Sequence, residues 1–300
     1  MTIDTRCTNK DSSLEYMSDV PTMPYFDRIF SELQRNDTPL GQMFAKHVHW
    51  GYWRDPGDAD VSVGGVKAAT DALTEQLFTL ATLENDQSIL DVGCGFGGTI
   101  SMLNERLENV YLTGVNIDPR QIERATQEVQ PKVKESNTIQ FQLGNACKLP
   151  FDAGVFDNVF AVECIFHFPS RRTFFAEASR VLKPGGCLVI SDFVAPLLSA
   201  VPLLCTSLLY SRDLNKMYGD TTITTELYYR LLAQFSGFSI KAVRNISQNT
   251  LPTYAAIRQC IEESGLPADA ELSANNYMDR VTRNGWLRYM VLAFEKHPNP

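Results

Sequence analysis

The chain has 300 residues, 44% hydrophobic and 21% charged, with a formal net charge of −8 at pH 7. These proportions support a sizeable core and exclude disorder as the default, and the length fits one α/β domain with insertions or a domain plus a cap. The acidic balance lacks the basic footprint that a nucleic-acid partner requires.

Residues 1–22 are polar and read as a frayed terminus with no signal peptide. From Pro24 to Gln34, the residues Tyr25, Phe26, Ile29, Phe30 and Leu33 recur on one face of a helix. The stretch His47-Val-His-Trp-Gly-Tyr-Trp-Arg-Asp-Pro-Gly57 is too irregular for a helix and too apolar for an idle loop. Residues 61–83 predict a long amphipathic helix. Next comes Ser88-Ile-Leu-Asp-Val-Gly-Cys-Gly-Phe-Gly-Gly98, an apolar run carrying one acid, Asp91, that breaks into Gly93, Gly95, Gly97 and Gly98. This pattern predicts a buried strand, a tight turn and a helix over 99–107 whose partly positive N-terminus faces the turn. A glycine motif alone is a weak signal. Here a second apolar run, 110–115, follows the helix and ends at Asn116-Ile-Asp118, which makes a βαβ start with its ligand at the carboxyl ends of the strands.

Residues 119–129 read as helix and 139–143 as a strand ending in Gly144-Asn145-Ala146. Phe156–Val162 is a further strand, ending in Glu163-Cys-Ile-Phe-His-Phe-Pro169. A helix over 170–182 stops at Lys183-Pro-Gly-Gly186, and 187–193 is the next buried strand. This alternation predicts a parallel, doubly wound sheet. The last third departs from it: helices over 195–217 and 224–235, a strand over 238–246, helices over 251–263 and 275–281, and a final strand over 286–294. The apolar run 193–209 is short and broken by Pro196 and Pro202, so no membrane span is expected. The seven cysteines form no Cys-x-x-Cys pair, which points to a reducing, cytoplasmic setting. His47 and His49 are two possible ligands without a third, so no metal site is expected.

Taken together, Ile89-Leu-Asp-Val-Gly-Cys-Gly-Phe-Gly97, Leu149-Pro-Phe151, Phe156-Asp157 and Arg180-Val-Leu-Lys-Pro-Gly-Gly186 resemble, in order and spacing, the class I S-adenosylmethionine-dependent methyltransferases. The resemblance covers roughly residues 60 to 295 and implies a Rossmann-like α/β fold, a seven-stranded sheet of order 3-2-1-4-5-7-6. Segments 238–246 and 286–294 would be its closing pair, with N-terminal helices and an inserted helical cap around it. The implied division is 1–60 as an N-terminal segment covering the site, 61–194 as the donor-binding core, 195–236 as the cap, and 237–300 as completion of the sheet. Within the class, residues 161–171 and 190–193 are most similar to the small-molecule branch, the natural-product and sugar O-methyltransferases of the rebeccamycin and erythromycin type.

The resemblance implies S-adenosyl-L-methionine as cofactor, held by Asp91, Gly93, Gly95, Gly97, Asn116, Ile117, Asn145, Ala146 and Glu163. Two departures stand out. Asn116 replaces the usual acid facing the ribose, and Asn145 replaces the acid facing the adenine amino group; both still accept, without charge assistance. A nicotinamide dehydrogenase would want a carboxylate at Asn116, which counts against that rival. The branch also implies a general base at His167 assisted by Asp192, acting on a hydroxyl of a small, largely apolar metabolite; the competing reading of Asp192 is a helix cap or a partner for Arg171. The alternatives are C-methylation of an isoprenoid or quinone with Glu163 taking the proton, and a non-catalytic donor-binding module. Trp50, Tyr52, Trp53, His167 and Tyr210 are the expected substrate contacts. The partners expected are a small molecule and, through apolar cap helices, a second copy of the chain.

Overall fold

The computed structural model describes residues 23–35, 38–130, 136–264 and 268–298; the expected frayed terminus lies outside them. The apolar runs form β1 (Ser88–Val92), β2 (Tyr111–Asn116), β3 (Thr138–Leu143), β4 (Phe156–Val162), β5 (Leu182–Ala195), a two-residue β6 (Thr224–Thr225), β7 (Phe238–Asn245) and β8 (Arg288–Lys296). Their order is β3-β2-β1-β4-β5-β8-β7, with β6 paired to β5 off this path. Strands β1 to β5 run parallel, and β8 is antiparallel to both β5 and β7. Without the short β6, this is the expected order 3-2-1-4-5-7-6.

The helices are α1 (Pro24–Gln34), α2 (Pro39–Met43), α3 (Val63–Phe78), α4 (Gly98–Arg106), α5 (Pro119–Glu128), α6 (Arg171–Val181), α7 (Ala200–Tyr218), α8 (Glu226–Phe235), α9 (Ser247–Thr250), α10 (Pro252–Ser264) and α11 (Asp269–Arg283). Helix α3 is shorter than expected. Ser62 caps its start by accepting from Gly65 N–H, and the chain turns off after Phe78. Lys183-Pro-Gly-Gly186 does stop α6, but at once becomes the irregular start of β5, where the register with β4 shifts between Phe156 and Asn158. Thr224 and Thr225, expected as helix, form β6 instead, and Thr225 caps α8 by accepting from Tyr228 N–H.

Period-two alternation divides the strand side chains between two cores. Ile89, Phe160, Val189 and Val291 join one cluster with Leu73, Ile100 and Tyr254. Leu90, Val159, Ala161, Leu188 and Ile190 join the other with Phe174, Phe175 and Tyr229 from α6 and α8. The same alternation sends Ser191 to the first face and Asp192 to the second. Among the described residues no helix is long and apolar enough to cross a membrane.

Phe175 is fully buried, its ring centroid 5.2 Å from that of Phe294, 5.8 Å from Tyr229 and 6.0 Å from Phe238. Phe175→Ala is therefore expected to cost about 3–5 kcal/mol in urea unfolding, the range for emptying an aromatic core site.

Candidate active site

The carboxyl ends of β1, β2 and β4 open onto a cavity floored by the glycine turn. Its wall includes Asp91, Gly93, Gly95, Asn116, Ile117, Asn145, Ala146 and Glu163, and His47, Val48 and His49 close it from the N-terminal side. Gly97, the remaining glycine of the expected set, shapes the turn from below. It holds φ +82°, and a Cβ there would stand 2.8 Å from the Phe141 ring. At Gly95, φ +54°, a Cβ would meet nothing within 4 Å, so the backbone is bare toward the cavity.

Three features fit this cavity to an amino-acid sulfonium nucleoside. Asp91 is buried with Oδ1 unpartnered, and burial pushes its carboxyl up to about 7, so it lacks a cation that an ammonium group would supply. Asn116 Nδ2 donates to Gln121 Oε1 at 2.9 Å, leaving Gln121 Nε2 buried without a partner on the same wall. That N–H suits a ribose hydroxyl oxygen. Gln121 is a contact that the sequence reading missed; a polar residue one turn into α5, behind Asn116, was the available signal. Asn145 lines the cavity, yet its Oδ1 already accepts from Cys147 N–H at 2.8 Å, so only a second lone pair remains for an adenine amino group.

A second cavity, of about 200 Å³, adjoins the first and is mostly apolar, walled by Ile29, Phe44, Trp50, Phe166, Phe193 and Met217 among others, with Arg28, Lys216 and Glu271 also on its lining. Tyr25, Val48 and Glu163 line both cavities. Glu163 follows β4 with φ +50°, a left-handed conformation unusual for a residue with a side chain. Its Oε2 accepts from Trp50 N–H at 2.9 Å and from the Tyr289 hydroxyl, which also donates toward Ser191 Oγ at 3.2 Å. Burial is the main cause that pushes this carboxyl up to about 8.

His167 lies in a short 3-10 turn, Ile165–His167, on the wall of the first cavity. Its Nδ1 faces the Asp220 carbonyl at 3.3 Å. A carbonyl only accepts, so the proton sits on Nδ1 and the Nε2 lone pair takes the Tyr25 hydroxyl at 3.1 Å. The two rings stack at 5.7 Å. Burial lowers the imidazole to about 4, which keeps it neutral. Tyr25 is the second contact missed from sequence, where it read only as one apolar residue of a helix face.

The expected support of His167 by Asp192 is not formed. Strand alternation turns Asp192 to the α6 and α8 face, where it accepts from Arg171 Nη2 at 2.9 Å and from the Tyr229 hydroxyl. Three expected substrate contacts are corrected as well. Tyr52 is tied by its N–H to the Ala69 carbonyl at 2.7 Å, and Trp53 packs over Gly51 with Nε1–H donating to the Asp60 carbonyl. Both belong to the packing against α3, outside the two cavities. Tyr210 stacks on Tyr277 at 4.5 Å; it is Tyr277 that reaches the apolar cavity. Trp50 does line it. His47 and His49 hydrogen-bond each other at 3.1 Å, with Asp71 beyond His47 at 2.9 Å, and burial lowers both imidazoles.

Comparisons with known proteins bear on the family and the fold. Residues 90–190 match a family described as a methyltransferase domain. Methyltransferase GfsG of Streptomyces halstedii is 31% identical over 224 residues, 73% of this chain and 75% of that protein. The 27-O-demethylrifamycin SV methyltransferase of Amycolatopsis mediterranei is 28% identical over 223 residues, 74% of this chain and 78% of its own. Among solved structures, geranyl diphosphate C-methyltransferase from Streptomyces coelicolor A3(2), in complex with Mg2+, geranyl diphosphate and S-adenosyl-L-homocysteine, aligns with a TM-score of 0.69 at 20% identity. That alignment covers 92% of this chain and 99% of the other, a likeness of fold.

Two measurements check the site. Asp91→Asn is expected to weaken S-adenosylhomocysteine binding by roughly 10- to 100-fold in calorimetry, the equivalent of a charge-assisted hydrogen bond of about 1.5–3 kcal/mol. The Glu163 carboxyl keeps its proton to about pH 8 when folded but releases it near 4.5 when unfolded. Its contribution to stability is thus complete below 4.5 and is lost as pH rises toward 8. Glu163→Gln, which cannot ionise, is expected to gain stability relative to the parent between urea melts at pH 5 and pH 8.

Proposed function

The chain belongs to the class I S-adenosylmethionine-dependent small-molecule methyltransferases, and we propose that it methylates a hydroxyl of a largely apolar metabolite with His167 as the proton acceptor. The observation that carries this reading is the neutral His167, its lone pair directed to Tyr25 at the seam of the two cavities. S-adenosylmethionine supplies an electrophilic methyl on a sulfonium, and sulfur leaves neutral, so no leaving-group acid is needed.

The chain's own residues then have three tasks. The apolar walls hold the acceptor and exclude water, which leaves orientation as a large share of the acceleration. Tyr218, whose hydroxyl is buried without a partner on the apolar wall, offers a polar handle for the acceptor. His167 Nε2 takes the acceptor's proton once that hydroxyl replaces Tyr25 on the lone pair. An imidazole of lowered basicity suffices, because a hydroxyl oxygen that is gaining a methyl group is far more acidic than any imidazolium. Asp91 holds the donor's ammonium and Gln121 its ribose, while residues 23–60 and α7 with the turn of residues 219–223 act as the cover; α8, expected in the cap, packs instead on the far face of the sheet.

A second reading has its own observation. Glu163 lines both cavities beside aromatic walls, the arrangement that would take a proton from a carbon acceptor. The two readings differ in pH dependence. With His167 as base, kcat at saturating donor, where Asp91 is already paired with the ammonium, stays level from pH 5 to 7.5, because the imidazole is deprotonated above about 4. With ionised Glu163 as base, it climbs with pH up to about 8. His167→Ala is expected to lower turnover by roughly 10²–10⁴-fold while S-adenosylhomocysteine affinity is kept. Unchanged turnover in that variant removes His167 and favours carbon as the acceptor atom.

A further inference from the structure

We propose that Arg171 is a positioning residue for His167: its guanidinium ties the turn of residues 219–223 to the buried Asp192, and that turn sets the histidine's tautomer. The inference rests on His167 as the proton acceptor and extends it to a residue two shells from the reacting atoms.

The geometry forms a continuous chain. Asp192, fully buried in β5, accepts from Arg171 Nε at 3.2 Å and Nη2 at 2.9 Å. Its other oxygen accepts from Phe193 N–H at 2.8 Å, so the carboxylate is fixed to the strand itself. From that anchor the guanidinium reaches the turn with the second N–H of Nη2 and with Nη1. Nη2 donates to the Thr222 carbonyl at 2.7 Å, and Nη1 donates to Thr222 Oγ1. Thr222 N–H in turn donates to the Phe166 carbonyl at 3.0 Å, the residue just before His167. Two residues earlier in the same turn, the Asp220 carbonyl holds His167 Nδ1–H.

A guanidinium suits this position better than an ammonium. Its planar fork addresses the carboxylate and the turn at once, whereas a lysine presents one point charge. Arg171 and Asp192 are both buried, so the ion pair is shielded from salt and its direction is set by packing against Tyr229. The charge of Arg171 also helps to keep His167 neutral. Thr221, Thr222 and Ile223 line the apolar cavity, so the same anchor sets part of the acceptor's wall.

The test reads the tautomer directly, in the full chain with S-adenosylhomocysteine bound. Long-range 15N–1H spectra of 15N-histidine protein, with His167 assigned by His167→Gln, report which ring nitrogen carries the proton. The parent is expected to show the Nδ1–H form alone. Arg171→Lys keeps a cation beside Asp192 but cannot span to Thr222; it is expected to show a mixture with the Nε2–H form. S-adenosylhomocysteine affinity should be unchanged and kcat reduced by up to about 10²-fold, as for a misplaced catalytic group. Thr222→Val removes one of the two acceptors with little risk to folding, and a smaller population of the Nε2–H form is expected; it carries the test if Arg171→Lys does not fold. A single Nδ1–H form in the folded variants overturns the tether. If the tautomer responds but His167→Ala retains full turnover, the base assignment fails and the tether loses its catalytic meaning. If His167→Ala abolishes turnover and the tautomer does not respond, only the tether fails.

Discussion

One buried carboxyl group joins the parts of this molecule that the chain order keeps furthest apart. Glu163 accepts from the backbone of Trp50 in the N-terminal segment and from Tyr289 in the last strand, and its own N–H donates to Ser191 in β5. A buried polar group without partners is costly, so these bonds form together or not at all. The result is a seam. The donor side and the apolar side meet at Glu163, and the left-handed backbone there turns the chain from strand β4 into the loop that carries His167.

Much of this was legible in the sequence because it depends on local rules. Glycines where only bare backbone fits, apolar runs of strand length and the alternation of strands with helices pointed to a parallel doubly wound sheet with its ligand at the strand ends; the order of the strands and the residues Asp91, Asn116, Ile117 and Ala146, which lie on the cavity wall, came from the methyltransferase resemblance. What escaped depends on contacts between distant segments. Tyr25 meets His167 across 142 positions, and nothing in a helix face announces that partner. Asp192 was placed beside His167 because neighbouring strands were expected to bring their ends together. Period-two alternation, correctly applied within β5, instead assigns Ser191 to the Glu163 side and sends Asp192 to Arg171. The aromatic cluster shows the same limit. Trp50, Tyr52 and Trp53 look equivalent in sequence, yet only Trp50 reaches the apolar cavity, since the other two are held by Ala69 and Asp60.

The N-terminal helix is as much a part of the site as the core. Phe26 and Phe30 pack edge-on against Phe96 in the glycine turn, with ring centroids 6.0 and 5.4 Å away, and Arg120 bridges from Asp118 to Asp27 on α1. The exposed ion pair adds little by itself. The aromatic contacts couple the order of the turn to the seating of α1, which also carries Tyr25. Helix α1 thereby joins the glycine turn of the donor cavity to the wall that both cavities share.

The N-terminal segment grips Glu163 through the peptide N–H of Trp50, a group that every amino acid except proline provides. Its indole, by contrast, forms part of the wall of the apolar cavity. Attachment and selectivity are thus written in separate alphabets at one position. A library randomised at residue 50 could search new guests while the latch stays fastened.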